Sequence, residues 1–461
     1  MKPEFFALLG GYFAIILFLG LKFARRMKSL EDFFLASRSL SAWLVFLSLT
    51  ASWFGATSIL VTTDEAYRVG VSAIWLVGVP AVLTVLIFAF LLAGPIRRLP
   101  ILTLPDLVEL RYGKTVRHLA SILIFWYMVV LASSQMVAAG NFFQPFLGMS
   151  YFWSLVLATV VVLIYLVSGG LRSVAFTDSF QCFLLAAGTI GLAIFLFRAS
   201  SFEAVFQGGD IFFDVKKNLL ITLSFTLAWT ISPIAWQRVQ AARTAEKARL
   251  GLLITAGVFI ILYGLVVVIG ILARPLFSSR ALASPLLAEL IAGSVTPVLA
   301  ALLFVAVAAA VLSTMDTAIN TGALTLTRDI YQRIFVPNRE IGTELVLAGR
   351  IATFLVAILS FVVATRFQSI LRTIGLASEI MAEGLFIPGM AMFIFKKKIP
   401  LAGGLSLALG GGFALASFLS ELKIFPVGLP AWPHSVPYGL ALSLAGFVAG
   451  FILEEFRQSP A

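Results

Sequence analysis

From residue 5 to residue 454 the chain runs, again and again, for about twenty residues with hardly a charged side chain. A helix adds about 1.5 Å per residue, so roughly 20 apolar residues cross the ~30 Å core of a bilayer. Lipid offers no partner to backbone N–H and C=O groups, so a segment that enters it must satisfy them internally. Runs of this length predict helices. Thirteen candidate spans can be laid out, roughly 5–24, 43–63, 73–95, 118–140, 152–168, 174–197, 218–236, 249–272, 294–321, 343–364, 368–395, 401–420 and 437–454. The expectation is an all-α polytopic membrane protein of about 13 transmembrane helices, with one domain over residues 1–461. Composition points the same way. Charged residues make up 12% of the chain, against about 25% in soluble domains. The longest polar stretches, 199–217 and 322–342, are too short to hold a core of their own.

The first span does not read as a signal peptide, since no basic region precedes it and no small-residue cleavage site follows. Lys22, Arg25, Arg26 and Lys28 come after it and place that end in the cytoplasm. With thirteen spans the N-terminus is outside and the C-terminus inside, in the cell inner (plasma) membrane. On that layout 23 of the 33 basic residues lie on the inner side. The net charge of +11 therefore reads as topogenic, and no nucleic-acid partner is expected, because no basic stripe is interleaved with aromatics. Cys182 is the single cysteine, which excludes a disulfide framework and a thiolate metal cluster. His118 and His434 lack metal-ligand spacing. Neither G-x-S-x-G nor H-E-x-x-H occurs, and no enzyme activity is expected.

Three spans carry chemistry. The second contains "LTASWFGATS" (49–58), where small residues surround Gly55 and a helix is weak. The seventh contains "TLAWTISPIAW" (226–236), where Pro233 removes a backbone donor and clashes with the carbonyl four residues back. Breaks in spans two and seven fit an inverted five-helix repeat, with halves near 43–197 and 218–395, extra helices at 5–24, 401–420 and 437–454, and a site between the breaks. The ninth span ends in "LSTMDTAINTG" (312–322) after a run without a polar side chain. Ala310, Ser313, Thr314 and Thr317 share one helical face, with Asp316 and Asn320 flanking it. A carboxylate in lipid costs at least ~2.5 kcal/mol and demands a role or a partner. Arg350 is one such partner. The functional alternative is a cation site, in which hydroxyls and freed carbonyls from Ala51 and Phe54 form an oxygen shell of low net charge that suits Na⁺.

Several motifs together resemble the sodium:solute symporter family, which includes sodium/proline, sodium/pantothenate and sodium/glucose transporters. They are "SGGLRSVAFTDSFQ" (168–181), "DFFLASRSL" (32–40), "AAVLSTMDTAINTGALTLTRDIY" (309–331) and "RVQAARTAEKARLG" (238–251), and the likeness covers nearly the whole chain. The resemblance implies a LeuT-like five-plus-five inverted repeat. It implies a main Na⁺ site at the Ala51, Phe54 and Ala310 carbonyls and the Ser313 and Thr314 hydroxyls. A second ion site, present in some members, maps to Asp178, Asp316 and Thr317. Here Asp316 stands where those members have a hydroxyl, so the two acids bind Na⁺ or a proton, or pair with Arg350 or Arg172.

For the solute the candidates are Ser52, Trp53, Thr57, Gln135, Thr226 and Trp229, with Ser58 and Thr230 beside them. Proline-transporting members carry an acid at the position of Trp53, which instead offers an aromatic wall and one donor. Glu379 and Glu383 form an i, i+4 pair in the eleventh span. Like charges at that spacing repel, so the pair reads as a proton relay, as recognition of a cationic or hydroxylated solute, or as partners of Arg372. The expected function is Na⁺-coupled symport of a small organic solute (amino acid, carboxylate or vitamin-like) through the bilayer by alternating access, with Na⁺ as the coupling ion and no obligatory protein partner. H⁺-coupled symport is the alternative. A membrane solute sensor is disfavoured, because the chain ends a few residues after the last span.

Overall fold

The computed structural model describes residues 3–24, 35–99, 101–166, 171–200, 209–277, 284–336, 343–424 and 428–458. Among them the regular structure is helical, and the only bridge of strand type joins Leu40 to Ala242. In chain order the helices are α1 (Pro3–Ala24), α2 (Ala42–Trp53), α3 (Thr57–Arg98), α4 (Leu104–Leu147), α5 (Tyr151–Leu166), α6 (Leu171–Ala199), α7 (Val215–Thr230), α8 (Pro233–Ala241), α9 (Ala245–Leu272), α10 (Leu286–Gly293), α11 (Pro297–Leu324), α12 (Thr343–Ala364), α13 (Ile370–Glu379), α14 (Phe386–Ile394), α15 (Pro400–Glu421) and α16 (Val436–Gln458).

Eight of these runs are long and apolar enough to cross a bilayer, nine if the bent pair α7–α8 is one span, and Glu4–Leu19, Ala42–Trp53 and Tyr151–Ile164 are apolar but shorter. The 42 residues of α3 would reach about 63 Å as one rod, twice the apolar core. The run turns at Gly70, whose φ of +80° suits glycine alone. Ala66 before that turn and Ala73 after it belong to one apolar cluster with Val267 and Ile271 of α9, so both sides of the turn pack on the same neighbour.

The two broken helices lie where the glycine and the proline place them. α2 ends at Trp53, the chain bends through Phe54 and Gly55, and a π-helical turn covers Thr57–Val61. α7 ends at Thr230, Ile231 and Ser232 leave the helix, and Pro233 starts α8 at an angle of 42°. The carbonyl of Thr230, freed by the break, accepts a hydrogen bond from the Trp236 indole at 3.1 Å. The ninth span extends further than its expected end at 321. α11 continues as a π-helical run, Thr325–Phe335. Two of its polar residues bond to the start of α4. Thr103 donates to Asp329 at 2.9 Å, and Arg328 reaches Asp106 at 3.3 Å. α11 is the centre of the molecule, packed by α2, α4 and α6, and its residues 306–322 are all buried. α15 and α16 pack against each other and against the π-helical segment Ile380–Leu385 that joins α13 to α14.

Candidate functional site

The polar segment of α11 faces the break of α2. The Ser313 hydroxyl donates to the Ala51 carbonyl at 2.9 Å and lies 3.3 Å from that of Ala310. The Thr314 hydroxyl donates to the Ser52 carbonyl at 3.1 Å and also lies 3.3 Å from the Ala310 carbonyl. Gly55 permits this approach, because a Cβ there would overlap the Thr314 hydroxyl. Ala51, Ala310 and Ser313 are fully buried, and Thr314 nearly so. The arrangement is a set of buried, hard, uncharged oxygens, which is a donor set a small monovalent cation can use. Four of the five residues expected at a main Na⁺ site thus meet. Phe54 adjoins them in sequence, its ring buried edge-on to Tyr263 at 5.2 Å.

One turn further along α11 lies a charged cluster. Asp178 of α6 accepts from Ser48 at 2.7 Å and from Ser52 at 3.3 Å. Its cation is Arg238 of α8, 3.6 Å away and 1% exposed. The same guanidinium donates to Ser48 at 3.3 Å, to Ser52 at 3.1 Å and to Thr317 at 3.3 Å. Asp316, fully buried, lies within the electrostatic reach of Arg238. Sequence reasoning missed Arg238 by counting it with the basic loop after Pro233. The expected partner Arg350 is exposed instead, and the side chain of Arg172 lies outside the described residues. The available signal was an arginine five residues after a helix-breaking proline, within reach of two intramembrane acids.

A cavity adjoins both breaks. Ser52, Trp53, Thr57, Gln135 and Trp229 line it, with Ser58 and Thr314. Thr314 therefore belongs to the cavity and to the oxygen cluster at once. The Trp53 and Trp229 rings lie 5.8 Å apart, and Phe225 stacks on Trp229 at 4.9 Å. The Gln135 Oε1 and Thr57 Oγ1 atoms are buried without a hydrogen-bond partner among the described residues. Thr226 does not line this cavity, and the Thr230 hydroxyl turns back to the Thr226 carbonyl at 2.7 Å. Tyr127 and Ser232, which the sequence did not single out, complete the wall. Among the described residues no charged side chain lines it. Glu379 and Glu383 are buried elsewhere, and Arg372 pairs with Glu421 rather than with either of them.

The model of the sodium:solute symporter family matches residues 33–411. The chain is 27% identical to the sodium/glucose cotransporter of Vibrio parahaemolyticus, over 91% of this chain and 85% of that one. It is 25% identical to the high-affinity proline transporter PutP of Bacillus subtilis, over 98% and 96%. Among solved structures, a Na⁺-coupled sialic acid symporter superposes with a TM-score of 0.80 at 18% identity, over 97% of both chains. MhsT, solved in complex with L-phenylalanine, superposes with a TM-score of 0.52 at 15% identity, over 90% of this chain and 98% of that one. These neighbours give the helical bundle its fold class, the LeuT-like fold.

Proposed function

The chain belongs to the sodium:solute symporter family, and from that membership we propose that it carries Na⁺ and a small organic solute together across the membrane by alternating access. The observation that supports this most is the junction of α2 and α11. Ser313 and Thr314 reach the carbonyls of a broken helix, and Thr314 also lines a cavity. An ion bound by the Ala51, Phe54 and Ala310 carbonyls and these two hydroxyls ties α2 to α11. It thereby stabilises the arrangement in which the cavity wall is complete, and solute and ion favour each other. The solute lies between Trp53 and Trp229, with Gln135, Thr57 and Ser52 as its polar contacts. The half-helix N-terminus at Pro233 favours an anionic group on it.

Asp178, Asp316 and Thr317 serve as a second ion site. Arg238 stands beside both acids and bonds Thr317, and a monovalent cation or a proton is the ligand this set takes. The halves 43–197 and 218–395 rock about these contacts.

The test is thermal unfolding of the purified chain, with amino acids, monocarboxylates, vitamins and sugars each added with and without Na⁺. Na⁺ alone raises the midpoint of the native chain, and one solute class raises it further only when Na⁺ is present. Ser313→Ala and Thr314→Ala each shift the Na⁺ response to higher concentration, by about tenfold if one ligand is worth ~1.4 kcal/mol. An unchanged Na⁺ response in both variants would remove the site from this pair.

A further inference from the structure

α13, the segment Ile380–Leu385 and α14 form one helical run with two fully buried carboxyls, Glu379 and Glu383. Neither lines the cavity beside Trp53. Both meet the α15–α16 hairpin. Glu379 accepts from Ser417 of α15 at 3.2 Å and from Ser435, just before α16. Glu383, one turn on, has no hydrogen-bond partner for either oxygen among the described residues. The helices close tightly over it. A Cβ on Gly439 of α16 would overlap its carboxyl, and one on Gly410 of α15 would overlap its backbone carbonyl.

Among the described residues no cation is hydrogen-bonded or ion-paired to either carboxyl, and Arg372 acts on Glu379 only at a distance. Arg372, on the same run, is bound to Glu421 of α15, the only charged residue of that helix. α16 brings Tyr438, which is exposed, and Glu454, Glu455 and Arg457 at its far end, where Glu454 accepts from the Leu401 amide. α4 packs Leu123 against Gly384 and spends the Tyr112 hydroxyl on the Pro388 carbonyl. The basic residues of α7, Lys216 and Lys217, stand at its first turn, and α14 has no charged residue. His434, next to Ser435, is exposed.

An ionised carboxylate without a partner in such a place costs several kcal/mol, and gaining a proton is the least costly relief. Two carboxyls a turn apart strengthen that demand, since they cannot both be charged without further cost. A purely structural acid would spend its proton on an acceptor, and Glu383 has none. We propose that Glu379 and Glu383 form a proton-binding site, separate from the Na⁺ cluster, that takes up and releases one proton as the α13–α14 run moves against the α15–α16 hairpin. Glu379 is the entry, because it touches the segment that carries exposed His434. Glu383 holds the proton one turn deeper. The site does not depend on the sodium reading.

Infrared difference spectra of the full chain in lipid, taken between mildly acidic and alkaline buffer, test this. A protonated-carboxyl band should be present, disappear on alkalinisation, and be absent in Glu383→Gln, which is neutral and nearly isosteric. ¹³C-glutamate in the native sequence should shift the same band, which assigns it to glutamate and separates it from the buried aspartates Asp178 and Asp316. Ser313→Ala should leave it in place. A band that survives alkaline buffer would make Glu383 a permanently neutral structural acid and overturn the proposal. So would native and Glu383→Gln spectra that do not differ, with no band moved by the isotope.

Discussion

Arg238 has five donors and almost no exposure, and its hydrogen bonds run to Ser48, Ser52, Thr317 and Gln237. A buried guanidinium is tolerated only when its charge and its N–H groups are both met, and Asp178 and Asp316 supply the charge. Removing one partner leaves the other as an uncompensated buried charge, which typically costs about 3–5 kcal/mol. Arg238→Met is therefore expected to lower the thermal unfolding midpoint strongly, and Asp178→Asn in the same chain to recover much of that loss. The double-mutant cycle measures the coupling, and additive losses would show that Arg238 is not the counterion of Asp178. The residue also ties α8 to α2, α6 and α11, so its release loosens the wall on that side of the cavity.

At the scale of the element, the breaks in α2 and α7–α8 decide where oxygen atoms come free. Gly55 acts by lacking a side chain, since a Cβ would push into the Thr314 hydroxyl. Gly55→Ala is expected to part α2 from α11 and to abolish the stabilisation by Na⁺. Gly94→Ala, whose Cβ meets nothing within 4 Å, should leave the Na⁺ response unchanged. A full response in Gly55→Ala would mean that the two helices do not need this close approach. Both breaks were legible in the sequence, because glycine and proline act through their own covalent chemistry. Ser313 and Thr314 were legible because hydroxyls stand out after an apolar run. The pairings of Arg238 with Asp178, Arg372 with Glu421 and Glu379 with Ser435 were not. Each joins elements distant in the chain, and which of several nearby charges meet is settled by helix packing, which leaves no local trace. The overrun of α11 to Phe335 was missed for the same reason. Its polar side chains read as an exit from the membrane until Thr103 and Asp106 are seen to bond Asp329 and Arg328.

For the whole molecule, the helical class followed from the length of the apolar runs, and the LeuT-like neighbours agree with it. The orientation rests on charge alone. Basic side chains resist translocation in short loops, so the side that holds Lys396, Lys397 and Lys398 is expected to be cytoplasmic. α15 then runs outward from Pro400, and α16 returns inward to end near Arg457. Lys423, at the tip between them, is exposed, as is Arg457. The chain suits a labelling test, because its one cysteine, Cys182, is buried and can be replaced by serine. In that background Lys423→Cys should react with a membrane-impermeant thiol reagent on intact cells. Arg457→Cys should react only after the membrane is opened. The reverse pattern would invert the molecule and put the entry to Glu379, beside Ser435 and His434, on the cytoplasmic face. Labelling of both on intact cells would mean that α16 does not cross. The orientation also sets the sign of the energetics. Each Na⁺ carried inward at the uncharged oxygen cluster gains about 2.3 kcal/mol per 100 mV of inside-negative potential.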